Sequence, residues 1–362
     1  MSLHENKISQ IVLSPDTTIL AALKKMDALQ VKLLIVMKAE SYVGLLSIGD
    51  IQRAIIANHK MEDAVGTILR KQNRVAGPDD DFESIKKQML QFRTELMPVV
   101  SSEGQLQKVY FWNDVFGMEK PSPAVALNIP VVIMAGGKGT RLKPITNVLP
   151  KALIPVGNKT ILENILDRFV SVNCREFFMS VNYKAEMIRQ YFDTLNNSDY
   201  QITYFEEEKF SGTAGSLHLL KGKIKSSFFV SNCDIIVDTD YAEIFRYHKE
   251  TGNDITIVGV LKNYPIPYGV LESGKDGKLE SIQEKPELTF KINSGMYILE
   301  PHVLNLIPAN KIYQITELIE AVKSNGKVGV FPVSEGAWMD VGEWGEYNKT
   351  VRRLGFDDLI IS

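Results

Sequence analysis

Cysteine is nearly missing: only Cys174 and Cys233 occur in 362 residues. They lie far apart in the chain, which argues against a disulfide framework and suits a reducing cytoplasm. Histidine is scarce too, and His4, His59, His218, His248 and His302 show no close metal-ligand spacing, so a His/Cys zinc site is not expected. Neither sign of charge dominates. Lys and Arg total 41 against 44 Asp and Glu, a formal net charge of -3, which offers no broad attraction for nucleic acid or an acidic membrane. No apolar run approaches membrane-spanning length, and the N-terminus MSLHENKISQIVLSPDTT lacks the continuous apolar core of a signal peptide. What is there is an ordinary globular composition, 44% hydrophobic and 23% charged, in a chain long enough for two or three domains.

Two familiar glycine motifs are also missing. A P-loop needs Gly, four residues, then Gly-Lys-Ser/Thr, but Gly139 is followed by Thr140 and Arg141. Gly137 and Gly139 fit the first two positions of a dinucleotide fingerprint, and Leu142 occupies the third. The segment IPVVIMAGGKGTRLKPITNVLPKALIPVG, residues 129–157, carries a different pattern. An apolar run breaks into a Gly-rich turn, with Arg141 directly after it and Lys151 behind a proline ten residues later. A strand edge of this kind presents bare N–H groups to a phosphate chain, and the two cations add fixed positive charge. The pattern points to nucleotide chemistry.

Residues 118–128, within MEKPSPAVALNIP, read as a linker because Pro121, Pro123 and Pro130 interrupt helix and ladder alike. The first 117 residues contain a weak repeat. SPDTTILAALKKMDALQVKLLIVMKAESYVGLLSIGDI resembles GPDDDFESIKKQMLQFRTELMPVVSSEGQLQKVYFWNDV at an offset of about 63 residues. Each copy (about 7–60 and 61–117) reads as a turn, an amphipathic helix, a hairpin and the start of another helix. One copy buries little core, so the two should pack together. The pattern resembles the CBS-domain pair, named after cystathionine beta-synthase. In that family a hydroxyl residue followed three residues later by Asp holds the ribose and phosphate of an adenine nucleotide. Ser47 and Asp50 match this in the first copy, while Phe111 replaces the hydroxyl in the second although Asp114 remains. A helix-capping role for Ser47 and Asp50 stands beside that reading. The resemblance also implies self-association as a dimer.

From Ile129 the grammar becomes alternating strand and helix, with strands at 177–181, 202–205, 228–232 and 255–260 and a capping box from Thr160 to Glu163. Such alternation predicts an α/β fold with a mainly parallel sheet and a site at the strand C-terminal ends, where the glycine loop and Asp234 fall. Six further segments follow in order: SGTAGSL, VSNCD, PYGVLE, QEKP, INSGMYIL and WMDVGEW. With AGGKGTRLKP they resemble the sugar-phosphate nucleotidyltransferases over residues 129–355. That resemblance implies a Rossmann-like domain of the GT-A kind behind the α+β CBS pair.

The implied reaction is attack by a sugar 1-phosphate oxygen on the α-phosphorus of a nucleoside triphosphate, with pyrophosphate leaving. The implied cofactor is Mg²⁺, held by Asp234 and Asp340, while Arg141 and Lys151 grip phosphates. Ala135, Gly136, Gly137, Gly139, Thr140, Gly212 and Thr213 would lie along the nucleotide, and Gly269, Glu284, Lys285 and Asn293 along the sugar phosphate. Gly295 completes the Asn-x-Gly segment and could equally mark a strand bulge. Ser211 and Cys233 depart from the residues common there, leucine and glycine, so the base is less sharply specified than the reaction class.

Glu206, Glu207 and Glu208 precede the presumed base-binding turn, and a carboxylate suits the two N–H donors of guanine. Glu208 is taken as the reader of the base. A CBS pair ahead of a short transferase domain also resembles the glucosamine-1-phosphate guanylyltransferases of bacterial surface-glycan (legionaminic acid) synthesis, with mannose-1-phosphate guanylyltransferase-like enzymes as near neighbours. Uridylyl or thymidylyl transfer stays open, as does a non-catalytic nucleotide-sensing regulator. No fused acetyltransferase is expected, since only about a dozen residues follow Thr350.

Overall fold

The computed structural model describes residues 3–70, 74–92, 94–117, 125–207 and 211–356. The chain forms two compact units, Met1–Ala124 and Val125–Ser362.

In the first unit α1 (Leu3–Ile11) leads into β1 (Val12–Leu13), α2 (Ile19–Leu29), β2 (Leu33–Lys38), β3 (Ser41–Ser47) and α3 (Ile48–Ile56). A second set follows: α4 (Phe82–Phe92), β4 (Leu96–Val100), β5 (Leu106–Phe111) and α5 (Trp112–Phe116). Thr18 opens α2 by accepting the Ala21 N–H, and Ile19, Ala22, Leu23 and Met26 bury one helical face. The repeat is visible in the pairing. Leu13 lies beside Val36 in parallel register, and Ala76 lies beside Val99 in the same sense at the same sequence offset. The copies are tied together by Tyr42 N donating to Gly104 O (2.8 Å) and Lys32 N to Glu95 Oε2 (3.0 Å).

The second unit begins earlier than the sequence suggested. Leu127 is buried in its core and its N–H donates to Val172 O (2.9 Å), so residues 125–128, assigned above to the linker, belong to the unit. Residues 118–124 lie outside the described residues. Its elements are β6 (Val131–Met134), β7 (Pro155–Val156), β8 (Lys159–Thr160), α6 (Ile161–Ser171), β9 (Glu176–Val181), α7 (Ala185–Leu195), β10 (Gln201–Glu206), β11 (Phe228–Asn232), β12 (Ile235–Val237), α8 (Tyr241–Thr251), β13 (Ile255–Pro265), β14 (Val270–Ser273), β15 (Leu279–Gln283), β16 (Glu287–Leu299), α9 (Ile315–Lys323), β17 (Val328–Ser334), β18 (Trp338–Asp340) and α10 (Trp344–Arg353).

Seven strands form one sheet in the order β10-β9-β6-β11-β16-β13-β17. Only β16 runs against its neighbours. Alternation divides β6 between two cores: Val131 and Ile133 pack with α6, α7, α8 and α10, while Val132 packs with α9 on the other face. The chain winds from β6 outward to β9 and β10, then returns to the other side of β6 with β11. The crevice at that reversal, beyond the C-terminal ends of β6 and β11, is where open α/β sheets bind ligands. Thr160 and Glu163 form the expected capping box on α6.

At the other end of these strands sits a buried polar network. His248 Nδ1 lies 2.8 Å from Thr256 Oγ1, and Glu300 Oε1 receives Lys249 Nζ (2.6 Å) and Ser227 Oγ (2.8 Å) with His248 Nε2 at 3.3 Å. Burial pushes the His248 imidazole below its ordinary range, against the pull of Glu300. Burial would raise Glu300, but Lys249, Ser227 and His248 together hold it below its ordinary range. Among the described residues no helix is long and apolar enough to cross a membrane.

Candidate active site

The apolar β6 is buried on both faces and ends at the glycine loop, where Ala135 N donates to Ser180 O (2.9 Å). Gly139 is the pivot. Its φ of 62° is left-handed, and a Cβ there would sit 3.0 Å from both Lys151 Cβ and Thr146 Cγ2. Thr146 Oγ1 fixes the turn by donating to Gly139 O (2.9 Å). Thr140–Leu142 then make one 3-10 turn, and buried Leu142 anchors it so that exposed Arg141 faces the cleft. Pro150 opens another short turn, Lys151–Leu153, which buries Lys151.

Two carboxylates meet on a two-stranded ladder. β12 and β18 pair antiparallel with Ile235 opposite Asp340, and Val341 N donates to Asp234 O (2.9 Å). The ladder thus holds Asp234 and Asp340 at one end although 234 and 340 are distant in sequence. Lys151 Nζ makes an ion pair with Asp234 Oδ2, and Asp340 Oδ1 accepts the Gly342 N–H (2.7 Å). Gly342 marks the centre: a Cβ on it would lie 2.7 Å from Asp340 Oδ1, 3.0 Å from Arg141 Nη2 and 3.2 Å from Lys151 Nζ. Burial and the neighbouring Asp234 charge push the Asp340 carboxyl above its ordinary range, although Gly342 N–H, Lys151 and Arg141 pull the other way. A half-buried pair of like charges suits a hard divalent cation, which would neutralise both. Among the described residues no group of three or more His, Cys, Asp or Glu comes together, so such a cation would complete its shell with phosphate oxygens and water. Burial and Asp234 push the adjacent Cys233 thiol up to about 12, so it stays protonated.

The glycine loop, Arg141, Lys151 and Asp234 line a cleft of about 270 Å³. At its far end lies Glu207, buried and missed by sequence reasoning as an individual residue. Glu207 Oε1 receives Ser180 Oγ (2.9 Å), Oε2 receives Ser211 N (2.7 Å), and its carbonyl receives Asn182 Nδ2 (2.8 Å). Glu206 instead points out and pairs with Arg189 (2.7 Å). Glu208, the residue first taken to read the base, lies outside the described residues. Gly212 and Thr213 line the same cleft; Gly212 packs closely against Tyr313, and Thr213 is tied by hydrogen bonds to the start of α9. Thr213 Oγ1 donates to Gln314 Oε1 (3.0 Å) and accepts Ile315 N–H (2.8 Å).

A second cleft of about 240 Å³ shares Arg141, Thr213 and Asp234 with the first and adds Asp340, Asn293 and Gly295. Gly295 is in a bulge after all: between Gly259↔Asn293 and Ile257↔Tyr297 the β16 strand carries extra residues, and Asn293 Oδ1 accepts the Gly295 N–H (3.0 Å). The bulge still serves the site, since it turns Asn293 and Gly295 into the cleft wall. Gly269 and Glu284 come together on the β14–β15 hairpin, where a Cβ on Gly269 would meet Glu284 Oε2 at 3.1 Å. That hairpin is exposed, and Gly269, Glu284 and Lys285 line neither cleft. Sequence order alone had grouped them with Asn293, but the chain leaves the sheet between them.

In the first unit Ser47 and Asp50 border a cleft of about 300 Å³ that also contains Lys32, Arg70, Arg74 and Phe92. Both readings of the pair meet here. They form a reciprocal capping box on α3, and Asp50 Oδ1 also receives Arg53 Nη2 (2.5 Å) and Arg70 Nε (2.6 Å). Burial would raise Asp50, but these donors hold it below its ordinary range. In the second copy Phe111 gives α5 no side-chain cap, and Asp114 pairs with Lys7 at 3.8 Å.

Comparison with known proteins follows this division. Residues 8–57 match the model of the CBS domain. The chain is 32% identical over 229 residues to the mannose-1-phosphate guanylyltransferase catalytic subunit beta of Drosophila pseudoobscura pseudoobscura, covering 62% of this chain and 62% of that protein. The match therefore spans under two thirds of the relative's length. In structure it is similar to HddC from Yersinia pseudotuberculosis, with a TM-score of 0.50 and 28% identity over 62% of this chain and 99% of that one. The same protein complexed with GMP-PN matches at a TM-score of 0.50 and 27% identity over the same shares. The nucleotidyl transferase model matches residues 130–354, more than half of the chain, and on that match the chain belongs to the nucleotidyl transferase family.

Proposed function

We propose that the second unit transfers a guanylyl group from GTP to a sugar 1-phosphate, using Mg²⁺ held between Asp234 and Asp340. The observation that carries this reading is the β12–β18 ladder, which sets two carboxylates beside Arg141, Lys151 and the left-handed glycine turn. A divalent cation bound there supplies charge neutralisation across the phosphates and the carboxylates. The chain does the rest by binding and orientation. In the reaction an oxygen of the sugar phosphate forms a bond to the α-phosphorus, the α–β phosphoanhydride bond breaks, and pyrophosphate leaves with the electron pair. No covalent nucleophile on the protein is needed. The backbone of 135–140 cradles the triphosphate, Arg141 stabilises the departing pyrophosphate, and Lys151 holds the phosphate that changes partners. Asn293 at the bulge orients the sugar phosphate, while Gly269, Glu284 and Lys285 on the exposed hairpin bind sugar hydroxyls and phosphate once the substrate bridges to them.

Guanine is favoured by Glu207, an acceptor at the base end of the cleft matching the adjacent N1–H and N2–H donors of that base. The names of the relatives point the same way. Pyrophosphate release with GTP, UTP, dTTP, CTP and ATP, each against glucosamine, mannose and other hexose 1-phosphates, tests the reading. Release is expected to be strongest with GTP; no release with any pair would overturn it.

For the first unit we propose an adenine-nucleotide site at Ser47 and Asp50 and a role in self-association. The mixed lining of Arg70, Arg74, Lys32 and Phe92 supports a ligand with both phosphate and ring. ATP, ADP and AMP titrated into the full chain should raise its melting temperature. Sedimentation should show a dimer that a chain lacking residues 1–117 does not form.

A further inference from the structure

The base end of the cleft contains a hydrogen-bond relay that reaches beyond any residue touching substrate. Ser180, the penultimate residue of β9, is fully buried, and Ser216 beside it is fully buried as well. Their hydroxyl oxygens are 3.2 Å apart, and Ser180 Oγ is 2.9 Å from Glu207 Oε1. A serine hydroxyl has one hydrogen. The carboxylate takes it from Ser180, so Ser216 donates in turn to Ser180. The other oxygen, Oε2, receives the Ser211 N–H at 2.7 Å.

We infer that Ser180 is a specificity-determining positioning residue: the chain Ser216 to Ser180 to Glu207 fixes Glu207 as an acceptor-only group facing the base. Both carboxylate oxygens already receive a protein hydrogen, and their remaining lone pairs accept from the cleft. Such a group fits a base edge with two adjacent N–H donors. It opposes the edges of uracil and thymine, where a single N–H is flanked by carbonyl oxygens that would face the carboxylate. An amide in place of Glu207 would present an NH₂ and reverse that preference. Ser180 touches no substrate and acts only through Glu207, so its loss affects which nucleotide is chosen before it affects how fast bound nucleotide reacts. The relay also couples base choice to the loop, because Ser211 and Ser216 flank Gly212 and Thr213 in the 211–217 segment.

The inference rests on the guanylyl reading of the same cleft, and the experiment separates the two. GTP and UTP affinities of the full chain with Mg²⁺ are measured by calorimetry for Ser180→Ala, Ser180→Thr, Ser216→Ala and Glu207→Gln, with kcat and KM for each. Ser180→Ala should weaken GTP by roughly 10-fold, the worth of one hydrogen bond to a charged group. UTP should change little, so the preference shrinks, and the loss should appear in KM rather than kcat. Ser180→Thr keeps the hydroxyl and should restore the preference; Ser216→Ala should give a smaller loss of the same kind. If Ser180→Ala does not fold, Ser216→Ala carries the test, and an unchanged GTP-to-UTP ratio there overturns the relay. An unchanged ratio in Ser180→Ala, with the preference lost in Glu207→Gln, overturns the relay and leaves the base reading standing. An unchanged ratio in Glu207→Gln overturns the base reading itself.

Discussion

Asp50 in the first unit and Asp340 in the second are both acids beside arginine, yet they are in opposite states. Asp50 is surrounded by donors from Ser47, Arg53 and Arg70, and its carboxyl is held below the ordinary range. Among the described residues Asp340 accepts the Gly342 N–H and has a second carboxylate for a neighbour, and its carboxyl is raised. The satisfied acid serves the fold, as half of the capping box on α3. Around the raised acid, burial and Asp234 outweigh the opposing pull of Gly342 N–H, Lys151 and Arg141, so its charged form is left under-compensated. Functional sites often store unfavourable interactions of this kind.

The largest test of this contrast removes the frustrated charges. Asp234→Asn or Asp340→Asn should cut turnover by roughly 10²–10³-fold or more. Asp340→Asn should at the same time raise the melting temperature of the ligand-free protein by ~2–4 °C, the equivalent of about 1 kcal/mol in a domain of this size. Near-normal turnover would refute the metal role, and a lower melting temperature would refute the frustration. Next comes Gly342→Ala, whose Cβ would crowd Asp340, Arg141 and Lys151 together. About 10²-fold lower kcat is expected from such a displacement, with circular dichroism unchanged; full activity would mean that Gly342 is not the centre of the site.

On the satisfied side, Asp50→Ala should lower the stability of the first unit by about 2 kcal/mol, because it deletes half of a capping box and strands two guanidinium groups. It should also abolish any thermal shift caused by adenine nucleotides. A silent mutant would move Asp50 out of both roles. The smallest effect concerns a third acid, Glu300, satisfied by Lys249, Ser227 and His248. Its lowered carboxyl and the lowered imidazole of His248 act in the same direction. A lowered histidine stabilises above its unfolded-state value near ~6.5 and loses that contribution as pH falls through it, and the carboxyl's contribution fails further into acid. Melting temperature should therefore drop on going from pH 7 to 5, and less so in His248→Gln.

How much of this was legible in the sequence depended on whether the signal was local. The strands at 177–181, 202–205, 228–232 and 255–260 and the capping box at Thr160 follow from periodicity and short-range chemistry, whereas the reversal of winding at β6 is long-range topology that only the structure gives. Arg141, Lys151, Asp234 and Asp340 could be named because each sits in its own motif, although only the ladder explains why the two carboxylates meet. Glu207 was not singled out from a run of three acids. The signal was present: alternation along β10 puts Phe205 inside and Glu206 outside, and continuing it puts Glu207 inside. Arg70 as a partner of Asp50 was not legible, because nothing in the spacing of 50 and 70 specifies a contact. The separation of Gly269, Glu284 and Lys285 from the clefts was hidden for the same reason, since motif order says nothing about where a hairpin leaves the sheet.

The β12–β18 ladder also has a consequence for the history of each molecule. Asp234 is made well before Asp340, and the strand that delivers Asp340 is the final one of the described chain. A polypeptide stopped between Val237 and Trp338 carries the residues of the glycine turn, Arg141, Lys151 and Asp234 in its sequence but not the second carboxylate. In the vectorial order of synthesis the pairing of β12 with β18, and with it the meeting of the two carboxylates, is completed only once the last strand has been made.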